Sequence, residues 1–189
     1  NDVQATWECF AELANRYAAF GIKAGLNELY SEASRGKAFL AAMNIQPWRQ
    51  TQPEFPPHII GQIMSTYFGG RAEVHIRREI TPVIHCDFLA MYPTVCTLMN
   101  LWRYVIADGV QWEDATNEVG QFVERCTLVD LRNPETWSRL ACLVQVLPSD
   151  DVFPVRAAYE RDQSATIGLN RLTSSEPMWF TLADVLAAK

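Results

Sequence analysis

Residues 80–102 read ITPVIHCDFLAMYPTVCTLMNLW, and the choice between strand and helix along them decides the fold. β-Branched and aromatic side chains dominate residues 80–88, the composition of a strand. Regular alternation there sets Val83, His85, Asp87 and Leu89 on one face and Ile84, Cys86 and Phe88 on the other. Pro93 then suits the first turn of a helix over residues 93–101, where its missing N–H costs nothing and its fixed φ is already helical. Asp87 thereby stands near the C-terminal end of a strand, beside a turn and a helix start. Two roles are open to it at this point. One is a buried, hydrogen-bonded structural carboxylate. The other is a cation-holding carboxylate next to backbone N–H groups that bind phosphate.

The surrounding composition narrows the class. The 189 residues, 49% hydrophobic and 20% charged, describe a folded chain with room for one domain or two small ones. No apolar run reaches the length that crosses a bilayer, and the N-terminal residues lack a signal-peptide pattern. Cys9, Cys86, Cys96, Cys126 and Cys142 are odd in number and contain no CxxC. Reduced thiols in the cytoplasm are therefore expected, rather than a disulfide framework or a zinc site. The net charge of −6 is concentrated in residues 106–163, with five basic against eleven acidic side chains. A nucleic-acid footprint belongs before residue 106, where Arg71, Arg77 and Arg78 cluster. The start at Asn1, without methionine, and the stop within the helical LADVLAAK suggest a piece of a longer protein.

Taken in order, residues 3–20 predict an amphipathic helix, with Trp7, Phe10, Leu13, Ala14 and Tyr17 on one face. Asp2 can cap it and Gly21 can end it. Residues 34–43 predict a second helix stopping near Asn44, residues 47–57 a Pro- and Gln-rich loop, and residues 57–67 a third helix. Ala72, Val74 and Ile76 alternate with Glu73, His75 and Arg77 in a half-buried strand. Beyond the central stretch, residues 103–107 suggest a short strand, 116–126 an acidic amphipathic helix and 134–140 a helical turn or two. ACLVQVLP, DVFPVRAAY, ATIGLNRLT and PMWFTL are short β-prone runs expected to form an antiparallel meander, with a helix starting at Thr181. The expected fold is α+β: a helical N-terminal region packed on a mixed or antiparallel palm-like sheet, followed by the meander. The expected divisions are residues 1–66, 67–140 and 141–189.

Residues 87–95, DFLAMYPTV, resemble motif A of the family B DNA polymerases, DxxSLYP. Twenty residues earlier, Tyr67-Phe68-Gly69-Gly70-Arg71 looks like that family's YxGG(R/A) motif. Asp2, in NDVQATWE, resembles the aspartate that closes the third exonuclease motif, and YSEASRGKAFL from Tyr30 is similar to a helical linker between exonuclease and polymerase modules. Together these cover residues 1 to about 105.

The resemblance implies a DNA polymerase that transfers a deoxynucleoside monophosphate to a primer 3′-OH by two-metal chemistry. Asp87 is then the metal-binding catalytic carboxylate, with the backbone carbonyl of Phe88 as a further Mg2+ (or Mn2+) ligand. Backbone N–H groups at Ala90 and Met91 would hold the triphosphate, and Tyr92 would exclude a 2′-OH. Tyr67, Gly69, Gly70 and Arg71 would lie along the template, where glycine lets phosphate approach the backbone. The implied partners are primer-template DNA, dNTP and the rest of the polymerase chain, with no membrane. Ala90 replaces the family's usual serine, a change the backbone contact tolerates. Motifs B and C, with the triphosphate lysine and the second metal carboxylate, do not occur in these 189 residues. These residues alone are therefore expected to bind metal weakly and to be inactive. The alternative is a catalytically dead, polymerase-like structural or assembly protein.

Several of these residues also have plain structural readings. Asp2 serves as a helix cap, Gly69-Gly70 as a helix stop, and Arg71, Arg77 and Arg78 as a solvated strand edge. His75 and His85 lack partners at metal-ligand spacing.

Overall fold

Three of the helices stop where a residue takes the left-handed conformation that ends an α-helix. These are Gly21 after α1 (Asp2–Ala19), Asn44 after α2 (Glu32–Ala42) and Asn100 after α5 (Met91–Leu98), at φ 68°, 58° and 54°. At Asn100 the Asn100 N–H donates to the Thr97 carbonyl (3.0 Å) and the Leu101 N–H to the Cys96 carbonyl (2.8 Å), the paired bonds of a Schellman motif. Asn44 and Ile45 repeat the pattern on Ala41 and Leu40, at 3.0 and 2.9 Å. The computed structural model describes residues 2–68, 76–158 and 165–189. They divide into two compact units, Asn1–Pro53 with Arg103–Val110, and Glu54–Trp102 with Gln111–Lys189.

The first unit is helical. α1 carries the expected amphipathic pattern, tied along its polar side by Gln4 to Glu8 and Arg16 to Glu12, both at 2.8 Å and four residues apart. Its apolar side is open: Val3, Trp7, Phe10 and Leu13 are all exposed. Phe20, just past the helix end, meets Phe39 of α2 edge-on with centroids 5.0 Å apart. A capping box starts α2 two residues before the expected boundary, with Ser31 Oγ accepting from the Ser34 N–H and Ser34 Oγ from the Ser31 N–H. The 47–57 segment, expected as a loop, contains the short helix α3 (Trp48–Thr51). The next residue, Gln52, behaves as a strand partner. Its amide nitrogen donates to the Val110 carbonyl (2.8 Å) and its amide oxygen accepts from the Val110 N–H (2.5 Å).

The second unit holds most of the buried residues. Its core joins Phe122 and Cys126 from α7 (Thr116–Arg125) and its end, Leu140 and Leu182, with Met99, Trp137, Val144 and Leu186 packed around them. α4 (Pro57–Ser65) begins with Pro57 at its first position, and α8 (Pro134–Trp137) with Pro134 behind the capping side chain of Asn133. All four expected β-prone runs form strands: β1 (Leu143–Val146), β2 (Ser149–Ala158), β3 (Ala165–Thr173) and β4 (Met178–Thr181). They do not pair as a simple meander. β1 pairs antiparallel with β4 and β2 with β3, so the outer pair encloses the inner one in a single ribbon. The ribbon changes from one sheet to the other at Pro148, whose carbonyl accepts from the Ser174 N–H (3.2 Å). Phe153 of β2 stacks on Phe180 of β4, and both are buried. Thr181 Oγ1 then accepts from the Asp184 N–H and starts α9 (Leu182–Ala188). The Lys189 ammonium donates to the Val123, Glu124 and Cys126 carbonyls at the end of α7, at 2.8, 3.0 and 3.3 Å. A cation there complements the negative end of the helix dipole.

The α+β class is as expected, with both sheets drawn from residues 143–181. Two expected strands are corrected. Residues 80–88 carry no regular secondary structure, and Ile80, Val83, Ile84 and Phe88 are exposed. β propensity measures fit to a pleated, half-buried surface, and among the described residues no strand lies alongside to provide one. The strand expected at 103–107 is replaced by the short helix α6 (Trp102–Val105). There the Trp102 indole N–H is held by Thr97 Oγ1 at 3.0 Å, just beyond the Asn100 stop. The strand expected at 72–77 begins outside the described residues.

Candidate functional site

The segment around Asp87 is a turn that feeds a helix. The Met91 N–H donates to the Phe88 carbonyl (3.1 Å) and the Thr94 N–H to the Ala90 carbonyl (3.0 Å). Between them Ala90 occupies the N-cap of α5 in the left-handed region, φ 53° and ψ 39°, with no capping hydrogen bond from its side chain. A non-glycine residue held there costs roughly 1–2 kcal/mol, so the turn carries local strain of the kind found at functional sites. Pro93 falls within the first turn of α5, as its fixed φ predicts.

Asp87 is exposed. That removes the reading of a buried structural carboxylate and leaves its oxygens open to a ligand. Phe88, Leu89 and Tyr92 are also exposed, Tyr92 at 68%, an unusual density of apolar surface on one turn. The carbonyl of Phe88 has one lone pair turned to the Met91 N–H and a second in reserve. A carboxylate and a neighbouring carbonyl suit Mg2+, which takes few protein oxygens and completes its shell with water and phosphate. The Met91 N–H, expected as a triphosphate donor, is engaged in the turn and must share or release that bond to take the role. Among the described residues no group of three His, Cys, Asp or Glu side chains is arranged to hold a metal ion.

Tyr67 lies at the other expected site, just past α4. Its side chain is exposed, its N–H donates to the Met64 carbonyl (3.2 Å), and its own carbonyl accepts from the Arg156 guanidinium of β2. The same guanidinium covers the ring of Phe68, 5.2 Å from its centroid. Gly69, Gly70 and Arg71 lie outside the described residues, as does His75. Arg77 and Arg78 are exposed, Arg78 in the left-handed region at φ 59°. His85 is exposed. Asp2 sits in the first turn of α1, where a carboxylate complements the helix dipole, and its carbonyl accepts from Thr6 Oγ1 (2.7 Å).

No local pattern points to Arg156, because it meets Tyr67 across 89 residues. Elsewhere, Glu113, Asp114, Thr116 and Glu118 line a shallow acidic cleft ahead of and along the first turn of α7. Hydrogen bonds from the Thr116 hydroxyl and N–H hold the Asp114 carboxyl below its ordinary pKa. The cleft stays anionic and repels phosphate. Burial pushes the Cys142 thiol up, which keeps it protonated and slow to react. Among the described residues no helix is long and apolar enough to cross a membrane.

No protein-family model, curated protein or solved structure matches the chain.

Proposed function

We propose that the chain is the exonuclease-to-palm linker and the first part of the palm of a family B DNA polymerase. The observation that carries this is DFLAMYPTV itself, with the carboxylate of Asp87 exposed immediately ahead of the turn into α5. The YFGGR sequence twenty residues before it supports the same assignment. In the proposed reaction the primer 3′-oxygen, its proton released to solvent, bonds to the α-phosphorus of a dNTP while the bond from that phosphorus to the α,β-bridging oxygen breaks and pyrophosphate leaves. Mg2+ bound there supplies charge neutralisation on the attacking and leaving oxygens. Asp87 and the Phe88 carbonyl would hold it from this chain, Ala90 and Met91 would bring backbone N–H groups to the triphosphate, and Tyr92 would border the sugar. The remaining carboxylate and the triphosphate lysine come from other parts of the polymerase.

The test is Mg2+-dependent primer extension by the protein that carries this chain, comparing Asp87 with Asp87→Ala and Asp87→Asn. Loss of extension with an unchanged circular dichroism spectrum is expected for both variants. Extension at the parent rate removes Asp87 from catalysis. A protein that binds primer-template DNA yet never extends it, with Asp87 intact, is instead the non-catalytic assembly subunit.

A further inference from the structure

Along α1 an apolar stripe stands open to solvent, with Val3, Trp7, Phe10 and Leu13 between 48% and 77% exposed. We propose that this stripe is a self-association surface, on which α1 of a second copy of the chain packs antiparallel about a two-fold axis between residues 8 and 9. The proposal is independent of the polymerase assignment.

The spacing selects a helix as the occupant. Val3, Trp7, Phe10 and Ala14 follow one another at intervals of four, three and four residues, the seam on which two helices interdigitate. The positions that flank this seam, Gln4, Thr6, Ala11 and Leu13, are all uncharged. Flanking charges commonly set the choice of partner, and without them an identical helix meets no repulsion. The charged residues of α1, Asp2, Glu8, Glu12 and Arg16, lie off the seam, and Arg16 is joined to Glu12 at 2.8 Å. Three acids against one base disfavour an anionic lipid surface, which attracts helices with Lys and Arg on the polar face.

The order of side-chain sizes selects the orientation. With the axis between residues 8 and 9, Trp7 of each copy faces Phe10 of the other, and Val3 faces Ala14. Trp7 and Phe10 already lie together within one copy, with centroids 5.9 Å apart, so the pair gathers four rings at its centre. A parallel pair sets Trp7 against Trp7 and leaves Ala14 opposite Ala14, a layer with little to fill it. Antiparallel packing also opposes the two helix dipoles and brings Asp2 of each copy toward the Arg16 end of the other. The open side chains offer about 500 Å² per copy and about 1,000 Å² across the pair, near the least that a specific interface uses. The dimer is accordingly weak and reversible, with a Kd on the order of 10–100 μM.

The experiment is sedimentation velocity on the whole 189-residue chain, at concentrations spanning about tenfold below to tenfold above that range. A monomer–dimer transition is expected. Trp7→Glu sets a carboxylate in an inner layer and is expected to raise the dimer Kd at least about tenfold, with an unchanged circular dichroism spectrum. Glu8→Gln, off the seam, leaves the Kd as it was. Phe10→Lys weakens the dimer as Trp7→Glu does. An equal mixture of the two variants associates more tightly than either alone, because Glu and Lys then meet in one inner layer and the parent rings in the other. Cys9 is exposed and stands beside the axis, so a short bifunctional maleimide joins two copies and Cys9→Ser loses that product. A chain that stays monomeric at the highest concentration overturns the proposal, as does a dimer that Trp7→Glu leaves unmoved. Weakening by both variants with no recovery in the mixture overturns the antiparallel pairing. A monomer that instead sediments with phosphatidylglycerol vesicles, and loses this with Trp7→Glu, gives the stripe to a membrane surface and overturns the proposal as well.

Discussion

The ring of Phe153 lies on the ring of Phe180 with centroids 4.1 Å apart and planes inclined by 18°. Phe153 belongs to the inner strand pair of the ribbon and Phe180 to the outer one. The stack joins the inner and outer strand pairs beyond the change of sheet at Pro148. Both rings are almost wholly buried, at 2% and 1% exposure. Phe153→Ala removes a ring and leaves a cavity, a loss of about 3–5 kcal/mol in a well-packed site. Phe153→Leu keeps most of the volume and loses the stacking, at roughly 1–2 kcal/mol. Urea denaturation followed by tryptophan fluorescence measures both. A Phe153→Ala variant within about 1 kcal/mol of the parent means that the stack does not hold the ribbon.

The ends of the helices were legible in the sequence, because capping is local chemistry. Gly21 and Asn44 act where they were expected to, and the helix expected to begin at Thr181 is capped by that residue. The four strands of the ribbon were legible as well, since Ser, Asp, Asn and Pro bound each run. Their pairing was not. Pro148 permits a turn between β1 and β2 or a change of sheet within one ribbon, and the alternation of apolar residues is the same in both. Residues 80–88 have the composition of a strand and form none, because among the described residues no strand lies alongside for them to bond. At the site, the position of Pro93 in the first turn of a helix was readable. The left-handed conformation of Ala90 was not, since alanine carries no preference for it. The contact of Arg156 with Tyr67 and Phe68 depends on how β2 returns over the end of α4, which no local pattern encodes.

Asp130 gives the fold a titratable lock. Its carboxylate accepts from the Thr127 hydroxyl (2.6 Å) and the Thr127 N–H (2.8 Å), and these bonds hold its pKa below the ordinary value. A depressed folded-state pKa means stability that is present above the unfolded-state pKa and is lost as pH falls through the folded-state value. The window lies below about pH 4, the ordinary aspartate range. Thr127→Val removes the hydroxyl, the larger cause, and keeps the N–H. The Asp130 titration, followed by carboxyl NMR shifts, is expected to move up toward the ordinary value. The dependence of stability on pH across the acid window becomes shallower. A variant whose Asp130 titrates as in the parent assigns the lock to the backbone bond alone.

Gln52 and Val110 form a tie between parts of the first unit that are 58 residues apart. The side-chain amide mimics a peptide group and satisfies both the N–H and the C=O of Val110. Gln52→Ala leaves both groups without that partner in a partly buried position, a loss of roughly 1–3 kcal/mol. Gln52→Glu keeps an acceptor for the N–H but at neutral pH sets a carboxylate oxygen against the Val110 carbonyl, so its effect is no smaller than that of Gln52→Ala. Hydrogen exchange at the Val110 amide reads the tie directly. Faster exchange is expected in Gln52→Ala, and unchanged protection excludes Gln52 as the source of it.

Tyr92 provides the sharpest functional test, because its ring and hydroxyl can be separated. It is the second residue of α5, one position after Met91, and its side chain stands open to solvent. If it borders the sugar of an incoming nucleotide, exclusion of a 2′-OH depends on the bulk of the ring and not on the phenol hydroxyl. Tyr92→Phe is therefore expected to discriminate against ribonucleotides as the parent does. Tyr92→Ala or Tyr92→Val is expected to raise ribonucleotide incorporation relative to deoxynucleotide incorporation on the order of 10- to 100-fold, the range that a single steric contact controls. The measurement is the ratio of kcat/KM for matched rNTP and dNTP on one primer-template. Unchanged ratios in the alanine and valine variants remove Tyr92 from the gate, even where Asp87→Ala has abolished extension. A change confined to Tyr92→Phe shifts the selection from steric exclusion to a hydrogen bond made by the hydroxyl.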